Sequence, residues 1–93
     1  MNIAIDYNGC YANDRDLFNA FAKQARARGH NVYLVTAGGK ATHVNTGNEQ
    51  PFNAIIKTYH QSKKKVFDEM GIHIQIYIDD HPWFVLKHPR HIP

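Results

Sequence analysis

Apolar and polar positions along the chain divide it into a short series of elements. Ile3-Ala4-Ile5 is an apolar run that stops at Asp6, the pattern of a buried strand. Asn13 then predicts a helix N-cap, with Asp14 and Asp16 in the first turn, where the helix dipole favours acids. Leu17, Phe18, Phe21, Ala22 and Ala25 form a stripe at helical spacing, and Gly29 closes the helix after Arg26 and Arg28. Val32 to Val35 predicts a second strand, ending at Thr36. Residues 37–50, rich in Gly, Thr and Asn, predict a loop. Pro51 opens a predicted helix whose stripe is Phe52, Ile55, Ile56 and Tyr59. Ser62 caps another, with Val66, Phe67 and Met70 facing inward and Gly71 ending it. Ile72 to Ile78 carries a third strand, followed by Asp79-Asp80. From His81 to Pro93, three prolines predict a short turn or helix and an irregular tail.

The resulting order, βαβ(loop)ααβ, separates strands by helices. It predicts right-handed crossovers and a short parallel sheet in one α/β domain over residues 1–93. So small a sheet suggests either an extra strand within 37–50 or a partner covering an exposed edge.

Composition narrows the class. The chain has 93 residues, 43% of them apolar, which suits a small globular core and excludes disorder. No apolar run approaches the ~20 residues of a membrane span, and the start lacks the pattern of a signal peptide. The lone cysteine, Cys10, excludes an internal disulfide and leads us to expect a reducing, cytoplasmic setting. A net charge of +3 favours anionic ligands without specifying nucleic acid, and Lys63-Lys64-Lys65 is too short a basic run to change that.

In parallel α/β sheets, ligands bind beyond the carboxyl ends of the strands. Here the strands end in Asp6, Thr36 and Asp79-Asp80. Any one of these is most simply a turn or capping residue. Together they place carboxylates at one edge, where they repel unless a cation sits among them. A hard divalent ion with oxygen ligands, Mg²⁺ in particular, meets that need.

The ordered segments IAIDYNGCY, YLVTAGG, SKKKVFDEMGI and IYIDDHP resemble the four motifs of the haloacid dehalogenase (HAD) superfamily, over almost the whole chain. The resemblance implies a small HAD-like, Rossmann-like three-layer sandwich without a cap domain. It implies that Asp6 is nucleophile and metal ligand, forming an aspartyl-phosphate. It gives Thr36, with Ala37 beside it, and a lysine the task of binding the phosphoryl group, and Asp79 and Asp80 that of holding Mg²⁺. For the lysine, Lys63 lies three, four and seven residues before Val66, Phe67 and Met70, so it shares their inward face at the helix start. Lys64 leans away with Lys65, and Lys57 is an alternative on the preceding predicted helix. The expected substrate is a phosphate monoester: a phosphorylated small molecule, a nucleotide, a phosphopeptide or a nucleic-acid end. IDDHPWFVLKHPRHIP also resembles the close of the small phosphoserine-peptide phosphatases of this superfamily, a pointer to peptides.

One departure changes the picture. The family phosphatases carry a second Asp two residues after the nucleophile, which protonates the leaving oxygen and then activates water. Asn8 stands there, and an amide does neither, so a factor of about 10²–10⁴ in rate is expected to be lost. Its carbonyl remains a metal ligand in the resemblance. Cys10 stands where Thr or Val is usual. The alternative is therefore a HAD-fold module that binds phosphate or protein without turnover.

Other readings fit less well. Cys10 and Arg15 have four residues between them, where a cysteine phosphatase needs five. A receiver domain would place its acidic pair at the first strand. The seven histidines, including His81, His88 and His91, match no common zinc spacing, although His81 adjoins Asp80. Trp83, Phe84 and Val85 read as core rather than as a base-stacking platform. Gly38-Gly39-Lys40 lacks the rest of a phosphate-binding loop motif, although Lys40 is within reach of a bound phosphate.

Overall fold

The computed structural model describes residues 1–87, so His88 and His91 lie outside the described residues. Four strands, β1 (Asn2–Asp6), β2 (Asn31–Thr36), β3 (Ala54–Lys57) and β4 (Ile76–Ile78), form one parallel sheet in the order β3-β2-β1-β4. Among the described residues three helices accompany it: α1 (Arg15–Ala27), α2 (Lys63–Glu69) and α3 (Trp83–Leu86), with a 3-10 turn at Tyr11–Asn13. No helix among the described residues is long and apolar enough to cross a membrane.

The pleat of β1 explains the layers. Ile3 and Ile5 project to one face and pack with Val32, Leu34 and the α1 residues Ala22 and Ala25. Ala4 projects to the other and packs with Val35, Ile74 and Phe67 of α2. The sheet is thus sandwiched between α1 and α2, with α3 packed beside α2, in a small Rossmann-like α/β fold. From β1 the chain winds through β2 to β3 in one direction, then crosses back to place β4 on the other side of β1. The reversal occurs between β1 and β4, which end at Asp6 and at Ile78, the residue before Asp79. That is where a doubly wound sheet opens a crevice.

The helix predicted from Pro51 is a strand instead, and this is the extra strand, lying beyond the 37–50 loop rather than inside it. The spacing of Phe52, Ile55, Ile56 and Tyr59 fits a helix, but a short apolar run is equally compatible with a strand buried on both faces. Ile55 packs with the α1-side core and the adjacent Ile56 with the α2-side core, an alternation only a strand provides. Phe52, in the approach to β3, fills the α1-side core against Tyr11.

Several boundaries also shift. The α1 cap is Asp14, whose Oδ1 accepts from Leu17 N at 3.1 Å. Asn13 instead donates to the Gly9 carbonyl at 2.8 Å and closes the loop after β1. Leu17 and Phe21 are exposed, and Met70 turns outward from α2. The regular part of β4 is only Ile76–Ile78, although Ile72 and Ile74 still pack on the α2 side. Trp83, expected in the core, is 46% exposed, whereas Val85 is buried.

Candidate functional site

Asp6 sits at the last position of β1, in the middle of the sheet, and is 6% exposed. Ser62 caps α2 by accepting from Lys65 N at 3.1 Å, which sets Lys63 as the first helical residue. Lys63 is 1% exposed and runs inward, while Lys64 and Lys65 face solvent and pair along the helix with Asp68 and Glu69. The Lys63 ammonium donates to Asp6 Oδ1 at 2.8 Å and also to Asp79 Oδ2. The other Asp79 oxygen accepts from His81 N at 2.9 Å. Both Asp79 oxygens are therefore held by the protein.

Asp80 turns the other way, towards the loop after β1. Gly9 adopts φ +84° there, and a Cβ on it would fall inside the Asp80 carboxylate, so only glycine permits this approach. The turn brings Cys10 back to the strand end. One donor atom each from Asp6, Cys10 and Asp80 lies within 4.8 Å of the others. His81 Nε2 is 3.6 Å from Asp80 Oδ2 on the outer side.

The electrostatics follow from crowding. Burial, the largest cause, lifts the Asp6 carboxyl to about 6; Lys63 works against the rise, and Asp79 and Asp80 reinforce it. Burial and the Asp6 carboxylate push the Cys10 thiol up. The buried Lys63 is shared between two carboxylates, and it is the one N–H donor found on Asp6 among the described residues.

Thr36, at the end of β2, is buried next to the strand that carries Asp6. Its hydroxyl accepts from Gly38 N at 3.2 Å, folding the chain back at Ala37. The Ala37 carbonyl accepts from His60 N at 2.7 Å and the Gly38 carbonyl from Tyr59 N at 3.0 Å. Tyr59 and His60 hold left-handed φ values of 53° and 64°, costly for side chains of this size. These strained residues tie the β2 loop to the segment leading into α2, and so place Thr36 and Lys63 on neighbouring connections. Asn8 is exposed in the turn, Lys40 is exposed, and Lys57 lies on β3 paired in register with Thr36, away from the Lys63 ion pairs.

The donor set can be weighed against Mg²⁺. Carboxylates of Asp6 and Asp80 are hard oxygen donors that suit it. Asp79 is committed to Lys63 and His81. Cys10, the third member of the cluster, is a soft donor that Mg²⁺ does not favour. Its place in the cluster is not apparent from sequence spacing, although a glycine directly before it, three residues after the strand-end Asp6, is the signal of a turn that doubles back.

No protein-family model, curated protein or solved structure matches this chain.

Proposed function

We propose that the chain is a HAD-like phosphohydrolase that acts on phosphate monoesters through Asp6. The observation that carries this reading is the buried Lys63 bridging Asp6 and Asp79 at the reversal point of the sheet, with Asp80 against Asp6. A carboxylate held beside an ammonium is a nucleophile placed where the incoming negative charge is also met. An Asp6 oxygen attacks phosphorus, the bond from phosphorus to the ester oxygen breaks, and the departing oxygen takes a proton from solvent. Water then cleaves the aspartyl-phosphate to release inorganic phosphate and restore Asp6. Thr36 and the Ala37 N–H are the groups on the β2 side for the phosphoryl oxygens, and Lys63 is the group on the α2 side.

A divalent ion held by Asp6 and Asp80, with the Asn8 carbonyl on the same loop, would supply charge neutralisation at the phosphoryl oxygens. Asp79 serves to position Lys63. Because Asn8 supplies no proton, turnover is slow and favours esters whose leaving oxygen needs little protonation, such as aryl phosphates. Nucleotides, phosphopeptides and nucleic-acid ends remain the natural substrates to assay against these.

Phosphate release with Mg²⁺ tests the proposal. Asp6→Asn is expected to abolish it, and Asn8→Asp to raise it by about 10²-fold or more. Activity that survives Asp6→Asn overturns the mechanism. The exposed amide of Asn8 favours one alternative: a module that binds phosphate or protein without turnover. A wild type and Asn8→Asp variant that are both inert yet bind phosphate tightly would decide for it.

A further inference from the structure

We infer that Cys10 is a ligand of the divalent-ion site, and that the ion it holds with Asp6 and Asp80 is thiophilic, of the Zn²⁺ or Co²⁺ kind, in preference to Mg²⁺. This rests on the proposed divalent-ion site and concerns which ion occupies it.

Three observations converge. The donor atoms of Asp6, Cys10 and Asp80 lie within 4.8 Å of one another, and modest side-chain movement brings them to metal–oxygen distances of about 2.0–2.2 Å and a metal–sulfur distance of about 2.3 Å. Asp6 is 6% exposed and Lys63 takes only one of its oxygens, so a nearly buried carboxylate still has a face free of N–H donors, on the side away from that bond. Gly9 lets the backbone lie against the Asp80 carboxylate, which is the approach that carries Cys10 to the strand end. Asp79, which sequence spacing makes equivalent to Asp80, is excluded by its bonds to Lys63 and His81 N.

The donor set then decides the ion. Mg²⁺ prefers oxygen ligands and keeps much of its water, whereas thiolate favours Zn²⁺ and its neighbours. On binding, the Cys10 S–H bond gives its proton to buffer as the metal–sulfur bond forms. Two carboxylates and one thiolate leave a fourth position open, as in zinc sites where a substrate or water completes the shell.

The experiment is a Co²⁺ titration of the metal-free full chain, followed by near-ultraviolet absorption, with Zn²⁺ and Mg²⁺ titrated by calorimetry. The wild type is expected to develop a thiolate-to-cobalt charge-transfer band and to bind Zn²⁺ more tightly than Mg²⁺. Cys10→Ser and Cys10→Ala, both checked for native circular dichroism, lose the band. They also lose Zn²⁺ affinity by more than the roughly 10–100-fold that removal of an outer partner costs, while Mg²⁺ affinity stays the same. Co²⁺ binding without the band, or equal loss of Zn²⁺ and Mg²⁺ affinity, overturns the role of Cys10 and leaves the phosphohydrolase reading standing. Absence of binding by all three ions overturns both.

Discussion

The chain buries two kinds of material within one strand's length of each other. Along β1, Ile3, Ala4 and Ile5 are almost completely enclosed by apolar side chains from both helical layers. One residue further, Asp6 is nearly as buried, but beside Lys63, Asp79 and Asp80. Burial stabilises the first group, at about 25 cal/mol for each Å² of apolar surface removed from water. It costs the second group several kcal/mol per charge, offset only by good pairing. A domain of this size holds a net stability of about 5–15 kcal/mol, so the charged end is a large liability unless it serves a purpose. The contrast teaches that the apolar region is held by packing alone, whereas the charged region depends on how well Lys63 pairs with the carboxylates around it.

The largest expected effects set the two regions directly against each other. Phe67→Ala empties the centre of the α2-side core, where Phe67 meets Tyr33 and Tyr77. It should cost about 3–5 kcal/mol in urea unfolding, at any pH and with or without divalent ions. Lys63→Met keeps the bulk of the side chain but leaves Asp6 and Asp79 without their ammonium. In chelator near neutral pH it should cost about as much, roughly 3–5 kcal/mol. The difference lies in rescue. Divalent ion or a pH near 4 should restore much of the stability of Lys63→Met and none of that of Phe67→Ala. If Lys63→Met unfolds at the same denaturant concentration under all three conditions, the aspartates are not competing for positive charge.

A smaller effect isolates Asp6. Its carboxyl stands at 3.8 in an unfolded chain and at about 6 in the folded one, because burial penalises the ionised form. The folded state therefore binds the proton more tightly. The contribution of Asp6 to stability is fully present below 3.8 and is lost as the pH rises through about 6. At about 1.4 kcal/mol per unit, the loss is on the order of 3 kcal/mol. Subtracting the unfolding free energy of Asp6→Asn from that of wild type, at pH 4 and pH 7 in chelator, removes the background from the seven histidines. Wild type should lose ground to Asp6→Asn across this interval, and added divalent ion should close the gap. A difference that does not change with pH means that Asp6 gains as much from Lys63 as burial takes away.

The same contrast explains what was legible in the sequence. Both strands of the scaffold centre, β1 and β2, announce themselves as apolar runs, and each ends at a residue of the candidate site, Asp6 and Thr36. Lys63 was legible through its spacing from Val66 and Phe67, because a helix fixes which residues share a face. β3 was not, because Ile55-Ile56 within a run of four is compatible with either period until its neighbours are known. The different surroundings of Asp79 and Asp80 were hidden for a different reason. They depend on Lys63 and His81 N arriving from one side and Gly9 and Cys10 from the other, and those meetings are set by tertiary structure. The exposure of Trp83 was missed because an apolar residue near a strand end is ordinarily core, and here α3 is only one turn long.

The smallest effect gives the finest separation, because two side-chain helix caps, one a carboxylate and one a hydroxyl, serve the two regions. Asp14 accepts from Leu17 N at the start of α1, and Ser62 accepts from Lys65 N at the start of α2. Removing either acceptor leaves one helical N–H unsatisfied, and each change to alanine should lower stability by about 1 kcal/mol. Beyond that shared cost the outcomes should part. α1 packs on the sheet through Ala22 and Ala25, well along the helix from its cap, so Asp14→Ala should leave divalent-ion and phosphate binding unchanged. Ser62 immediately precedes Lys63, so loosening the first turn of α2 frees the ammonium from Asp6 and Asp79. Ser62→Ala should therefore weaken inorganic phosphate binding, measured by calorimetry with saturating divalent ion, by several-fold at the same loss of stability. Ser62→Thr, which keeps the acceptor, should restore both. Equal phosphate affinity in Asp14→Ala and Ser62→Ala would show that the rest of the charged cluster, and not the helix start, holds Lys63 in place.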